Sequence, residues 1–319
     1  MGAFLIMLRN VLLFVALALP GYLLVKCKLM KQEQSGALSK LLMYVGMPFL
    51  ILSGTINNLT FNKETLLSVG LVALVGVGYT LAAFLVSRPL TAMEREEKGR
   101  GMMRFCAVFS NNGFLGIPLA IAVFGQSSPV FTVLIVLNII TNVLMYTLGA
   151  YLVSGDKKSV SLKKAFFNPV LIAFLIGVVL NLLKVKEYIP EVVTYVGHFS
   201  NIVTPVSMTI LGMKLGAVKL SALFSSWKTY YTSALKLIAF PAVIVAVMLV
   251  LRALFTEIVS AEMVLGFFVA FAMPTAGLAS TFADSFGGDT DNAVAFTLGT
   301  TLLSILTIPM IYWLLCLCI

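Results

Sequence analysis

The sequence is poor in charge. Only 11% of its 319 residues are Asp, Glu, Lys or Arg, against about 25% in ordinary globular chains, whose surfaces must stay wet. That scarcity excludes a water-soluble enzyme, a nucleic-acid-binding domain and a disordered chain. One histidine, His198, leaves little for His-rich metal chemistry. The four cysteines, Cys27, Cys106, Cys316 and Cys318, match neither a zinc site nor a disulfide framework. No Gly-x4-Gly-Lys-Ser/Thr loop occurs, which disfavours an ATP-driven pump. No stretch is long and polar enough to form a soluble domain.

What is abundant is apolar sequence, 60% of residues, with a mean hydropathy of +1.03. Apolar runs bounded by charge give ten spans, near 3–25, 37–58, 66–87, 103–124, 129–153, 168–184, 191–213, 228–251, 262–285 and 291–317. Arg9 before the first run imitates a signal peptide, but the apolar character carries on through Val25, so we read a span. The loops after spans 1, 3, 5 and 7 hold sixteen Lys and Arg; those after spans 2, 4, 6 and 8 hold four. Basic residues gather on the cytoplasmic side, so both termini are expected to face outward.

Five spans per half require any duplication to be inverted. Two features favour one. Pro48 in span 2 and Pro205 in span 7 each sit mid-span, ahead of an apolar stretch with small residues. A broken span follows each at similar distance: Phe109-Ser-Asn-Asn-Gly-Phe-Leu-Gly-Ile-Pro118 in span 4, and Ala272-Met-Pro-Thr-Ala-Gly-Leu-Ala-Ser-Thr281 in span 9. Paired interruptions in two halves point to the binding site of a secondary transporter. The expected domains are 1–154 and 155–319.

Broken backbone is tolerated in hydrocarbon only beside protein or a water-filled cavity. Asn111 and Asn112 need partners there, Gly113 permits unusual backbone or close approach, and Pro118 frees a carbonyl one turn back. Half-helix N-termini would seat a carboxylate, whereas freed carbonyls and amide oxygens would seat a cation. A kinked helix with inter-helix asparagine bonds is the structural alternative. In span 9, Pro274 and Thr275 are the counterparts. Asn138 and Asn142 share a face of span 5, suited to packing or to substrate contact. Lys236, in span 8, has no obvious route to an interface and would counter a substrate carboxylate, pair with Asp284, or face an aqueous cleft. Asp284 is either a proton- or sodium-coupling group or a wetted helix end.

The stretch Ser110-Asn-Asn-Gly-Phe-Leu-Gly-Ile-Pro-Leu119 resembles the fourth-helix motif of the auxin efflux carrier family. Phe271-Ala-Met-Pro-Thr-Ala-Gly-Leu-Ala-Ser280 and Thr297-Leu-Gly-Thr-Thr-Leu-Leu-Ser-Ile-Leu-Thr-Ile-Pro309 resemble its ninth and tenth helices. The resemblance extends over essentially the whole chain and is closest to short bacterial members. It implies an all-α polytopic membrane protein, with ten transmembrane helices in two inverted five-helix repeats. Helices 4 and 9 are crossed and broken, as in bile-acid symporters and sodium-proton antiporters. It further implies an elevator-type movement of helices 3–5 and 8–10 past a scaffold of helices 1, 2, 6 and 7, and a possible homodimer through helices 2 and 7.

The expected function is therefore secondary transport of a small organic anion such as malate, malonate or an auxin-like acid. The expected substrate-binding residues are Asn111, Asn112, Gly113, Pro118, Pro274, Thr275, Asn138, Asn142 and Lys236, with Asp284 as coupling-ion candidate. No catalytic residue, metal, cofactor or nucleic acid is expected; the partners are the anion, a coupling proton or sodium, and the bilayer, in a bacterial inner membrane. The alternative is a cation/proton antiporter of the same architecture, which wants carboxylates at the crossing. An intramembrane aspartyl protease would need two apposed aspartates, but Asp156 is in a loop and Asp291 is beside Asp289.

Overall fold

A computed structural model describes residues 2–60 and 62–319. Those residues are almost wholly helical; the sole β pairing among them is one isolated antiparallel bridge. Seven helical stretches are long and apolar enough to cross a membrane: Phe4–Lys26, Gln32–Asn58, Lys63–Leu90, Pro129–Ser154, Lys157–Leu182, Trp227–Leu254 and Thr290–Cys316. The other three expected spans, near 103–124, 191–213 and 262–285, are each divided between two shorter helices.

We number the helices α1 (Gly2–Lys26), α2 (Gln32–Asn58), α3 (Lys63–Leu90), α4 (Glu97–Val108), α5 (Asn112–Phe124), α6 (Pro129–Ser154), α7 (Pro169–Leu182), α8 (Pro190–Ser200), α9 (Val203–Ala217), α10 (Trp227–Leu254), α11 (Ala261–Ala272), α12 (Ala279–Phe286) and α13 (Thr290–Cys316).

Prolines shape these helices through one physical effect. A proline has no N–H for the carbonyl four residues back, and its ring crowds that carbonyl. Pro48, Pro118 and Pro241 each follow a widened turn, Leu42–Gly46, Asn112–Gly116 and Leu235–Ala239, that contains the crowded residue. The carbonyl freed by Pro118 belongs to Phe114, and the Ser207 hydroxyl of α9 donates to it at 3.1 Å. Pro205 acts more severely: the residue four back is Asn201, and there the expected seventh span parts into α8 and α9. That break was not anticipated from the sequence.

α1 lies along α9, and α2 packs against α7 and α8. α3 packs on α6, α6 on α11 and α11 on α10, with α13 against α10, α12 and α4. α1 also touches α13 and α5. Hydrogen bonds fix these faces. Tyr79 of α3 donates to the Phe240 carbonyl at 2.8 Å, and Tyr231 of α10 to the Leu90 carbonyl at 2.7 Å. Asn181, at the end of α7, donates to the Ile56 carbonyl at 2.9 Å, satisfying an orphan acceptor at the end of α2.

α1 and α9 meet backbone to backbone, as small residues allow in membrane proteins. A Cβ added at Gly21 would lie 1.9 Å from the Thr209 carbonyl oxygen, and one at Gly212 would lie 1.9 Å from that of Ala18. Any side chain there must push the helices apart. Gly212→Val is therefore expected to lower stability by about 1–3 kcal/mol or more, read as a reduced melting temperature in detergent; an unchanged melt would disprove the close approach.

Outside the spans, Glu94 follows α3 and forms an ion pair with Lys228 at the start of α10. Its other oxygen accepts from the Glu96 N–H at 3.1 Å. Burial acts to raise the carboxyl, but the Lys228 ammonium and the backbone N–H outweigh it and hold it below its ordinary value. A depressed carboxylate contributes stability above its unfolded value, near pH 4, and loses it as pH falls through the folded value. Glu94→Gln should flatten the acid limb of a melting-temperature profile below about pH 5. The same acid limb in both proteins would show that the pair contributes nothing.

Candidate functional site

α4 stops at Val108 and α11 at Ala272, and the extended residues after each run antiparallel beside the other. The Asn111 N–H donates to the Pro274 carbonyl at 2.7 Å, and the Ala276 N–H to the Phe109 carbonyl at 3.0 Å. Ser110 and Thr275 face each other across this bridge.

Each of the two also caps the other's helix. The Ser110 hydroxyl donates to the Phe271 carbonyl at the end of α11, at 3.3 Å, and the Thr275 hydroxyl to the Cys106 carbonyl at the end of α4, at 2.9 Å. The Thr275 N–H is taken by the Thr300 hydroxyl of α13 at 3.2 Å. The Lys236 ammonium donates to the Ser110 hydroxyl. Two helix ends that would be costly in an apolar interior thus satisfy one another.

Beyond the bridge the chain re-enters helix at Asn112 in α5 and at Ala279 in α12. Asn112 is 2% exposed, and its amide sits in a network. It donates to the Thr141 hydroxyl at 3.0 Å and accepts from Asn138 at 3.0 Å. Asn142 donates to the Asn138 carbonyl at 2.8 Å and to its side-chain oxygen at 3.2 Å. Gly113 makes this approach possible, since a Cβ there would lie 2.8 Å from the Asn138 amide nitrogen.

A cavity with about 50 Å³ of room for water lies against this network, lined by Ser110, Asn111, Asn112, Gly113, Asn138, Thr141, Asn142, Tyr146, Asn168 and Gly277 among others. A second, of about 40 Å³, shares Asn111, Phe114 and Gly277 with it and adds Ser39, Ser207, Lys214, Thr297 and Thr301. Asn111 faces both, and its side-chain amide makes no hydrogen bond to the described residues.

The residues singled out by sequence thus divide. Asn111, Asn112, Gly113, Asn138 and Asn142 line the first cavity. Pro118, Pro274 and Thr275 shape the backbone break and line neither cavity; the Thr275 hydroxyl is spent on α4. Lys236 is 1% exposed and lies under the bridge on Ser110, in neither cavity lining and in no ion pair with Asp284. Asp284 is exposed on α12 and accepts from the Thr290 hydroxyl at 3.0 Å.

Sequence reading missed Ser110 and Thr300 as capping groups, because capping across two distant segments leaves no local pattern. Lys214, the first residue past the expected span 191–213 and so counted with the loops, lines the second cavity. Among the described residues, no group of three or more His, Cys, Asp or Glu side chains is placed to hold a metal ion.

The model of a family of membrane transport proteins matches residues 6–162 and 157–312. The chain belongs to this family, the auxin efflux carriers. It is 26% identical over 307 residues to an uncharacterized transporter of Methanothermobacter thermautotrophicus, covering 95% of this chain and 96% of that one. A transporter of Methanocaldococcus jannaschii, also described as uncharacterized, is 26% identical over 215 residues, 64% of this chain and 68% of that one. The family is one of transporters, not of enzymes, and its members are integral membrane proteins.

In this transporter family member Asn112 holds the network together as well as lining the cavity. Asn112→Ala would be expected to spare folding if the amide served substrate alone. Its loss strands the Asn138 amide and the Thr141 hydroxyl, so the variant should lose about 1–3 kcal/mol, measured as a lower melting temperature. A wild-type melt would show that the network is not formed.

Proposed function

We propose that this protein is a secondary active transporter of a small organic anion, with its site at the crossing of the α4–α5 and α11–α12 breaks. The observation that carries the reading is Asn111. Its amide lies where two cavities meet at broken backbone and makes no hydrogen bond to the described residues. The first turn of α5 adds N–H groups with no partner inside their own helix and a partial positive charge, which suits a carboxylate. No aspartate or glutamate lines either cavity, which weighs against the cation/proton antiporter.

The mechanism we infer is alternating access of the elevator type. α3–α6 and α10–α13 would carry the crossing past α1, α2 and α7–α9. The packing of α1 on α9, and of α2 on α7 and α8, supports that division. Two five-span halves, 1–154 and 155–319, related by inversion, are inferred from the paired breaks in spans 4 and 9. The charge asymmetry of the loops supports outward termini, in a bacterial inner membrane. Asp284 remains the candidate for proton or sodium coupling, and a homodimer would form through spans 2 and 7.

Uptake of labelled malate, malonate, lactate, succinate and indole-3-acetate into proteoliposomes, with and without a proton gradient, tests the reading. One acid should be taken up by the wild type. Asn111→Ala should lose at least about tenfold in uptake, the scale of one hydrogen bond to a charged group, while melting like the wild type. Sodium or proton flux with no acid uptake would overturn the anion reading.

A further inference from the structure

The two cavities at the crossing differ in charge. The first is lined by amides, hydroxyls and apolar groups; the second holds one charged side chain, Lys214. Lys214 lies on α9, three residues from its end, and reaches over to the break in the expected ninth span. There its ammonium donates to the Gly277 carbonyl at 3.3 Å and to the Ser280 hydroxyl at 3.2 Å. It makes no ion pair among the described residues; Asp284 is the acidic group whose field reaches it. Lys214 is half-buried, and an ammonium held there by neutral acceptors attracts an anion more strongly than one in open water, because less solvent screens the pair.

Two further donors face the same cavity. The Thr297 hydroxyl of α13 is buried without a hydrogen-bond partner among the described residues. The Asn111 amide makes no hydrogen bond to the described residues either. A buried polar group left unpaired costs about 1–3 kcal/mol, so the unspent Thr297 hydroxyl on α13, beside the half-buried Asn111 amide and a cation on α9, marks a place built for an acceptor.

We propose that this second cavity, with Lys214, Thr297 and Asn111 around it, grips the carboxylate of the substrate. The inference rests on the organic-anion reading above and adds to it the counter-charge. Lys214 ties α9 to the break beside Gly277. A bound carboxylate takes over as acceptor, so loading removes a link between α9 and α12. The remainder of the substrate passes Gly277 into the uncharged first cavity. A Cβ at position 277 would lie 3.3 Å from the Phe114 ring and 3.4 Å from the Asn111 amide, so glycine keeps that passage open.

The test measures saturation of uptake in proteoliposomes for lactate, malonate, malate, succinate and indole-3-acetate, each in competition with its neutral amide. The acid taken up by the wild type should show at least about a tenfold higher half-saturating concentration in Lys214→Gln. Lys214→Arg should recover part of the loss, and the amide should compete equally poorly in all three proteins. Thr297→Val keeps shape and removes a hydroxyl that bonds to nothing. It should melt like the wild type and still weaken uptake several-fold, which keeps the test decisive if Lys214→Gln folds badly. Wild-type half-saturation in both Lys214→Gln and Thr297→Val would overturn the carboxylate grip and leave the transport reading standing. Absence of acid uptake by the wild type would remove both.

Discussion

A helix that ends inside an apolar interior leaves four carbonyls without partners, and the segment that resumes it leaves four N–H groups. This chain ends two helices in that way, α4 and α11, and brings the ends together. The main-chain bonds between residues 109–111 and 274–276 are part of the solution, and the hydroxyls of Ser110 and Thr275 complete it by capping each other's helix. Much of what surrounds the crossing serves that pairing. α13 brings Thr300 to the Thr275 N–H, and α10 brings Lys236 under Ser110. Seen this way, Lys236 is a buried lysine that holds the bridge, and Lys214 is the lysine that lines a cavity.

Satisfying the backbone in this manner has a consequence for function. The groups that hold the break together are spent, whereas the side chains just beyond it are not. Thr275, Ser110 and the carbonyls they cap are occupied by structure. Asn111 and Thr297 retain unused hydrogen-bonding capacity at a cavity, and Lys214 bonds only to neutral acceptors that an anion outcompetes. Asn112 stands between the two groups, lining the cavity while holding Asn138 and Thr141 in place. The same polar network therefore gives the site its shape and limits which of its residues can be changed without unfolding it.

The proline effects show how one local rule has different results in different surroundings. At Pro48, Pro118 and Pro241 the helix widens and continues, while at Pro205 it parts. At Pro118 the crowded carbonyl finds Ser207 on another helix, so the turn is stabilised from outside. No inspection of the sequence around a proline reveals whether such a donor will be near.

Apolar content, span positions and the asparagine-, glycine- and proline-marked breaks were all legible in the sequence, because hydrocarbon burial and backbone satisfaction act on residues close together in the chain. Membership of a transporter family was legible as a resemblance, in the runs 110–119, 271–280 and 297–309. Which side chains are spent and which are free was not. Ser110 and Phe271 are 161 residues apart, and Lys214 and Gly277 are 63 apart. Those partnerships exist only when α9, α10 and α13 converge on the two breaks. Hydrogen bonds form over a few ångströms of space whatever their separation along the chain, so only the tertiary structure could decide which lysine holds the bridge and which stands at the cavity.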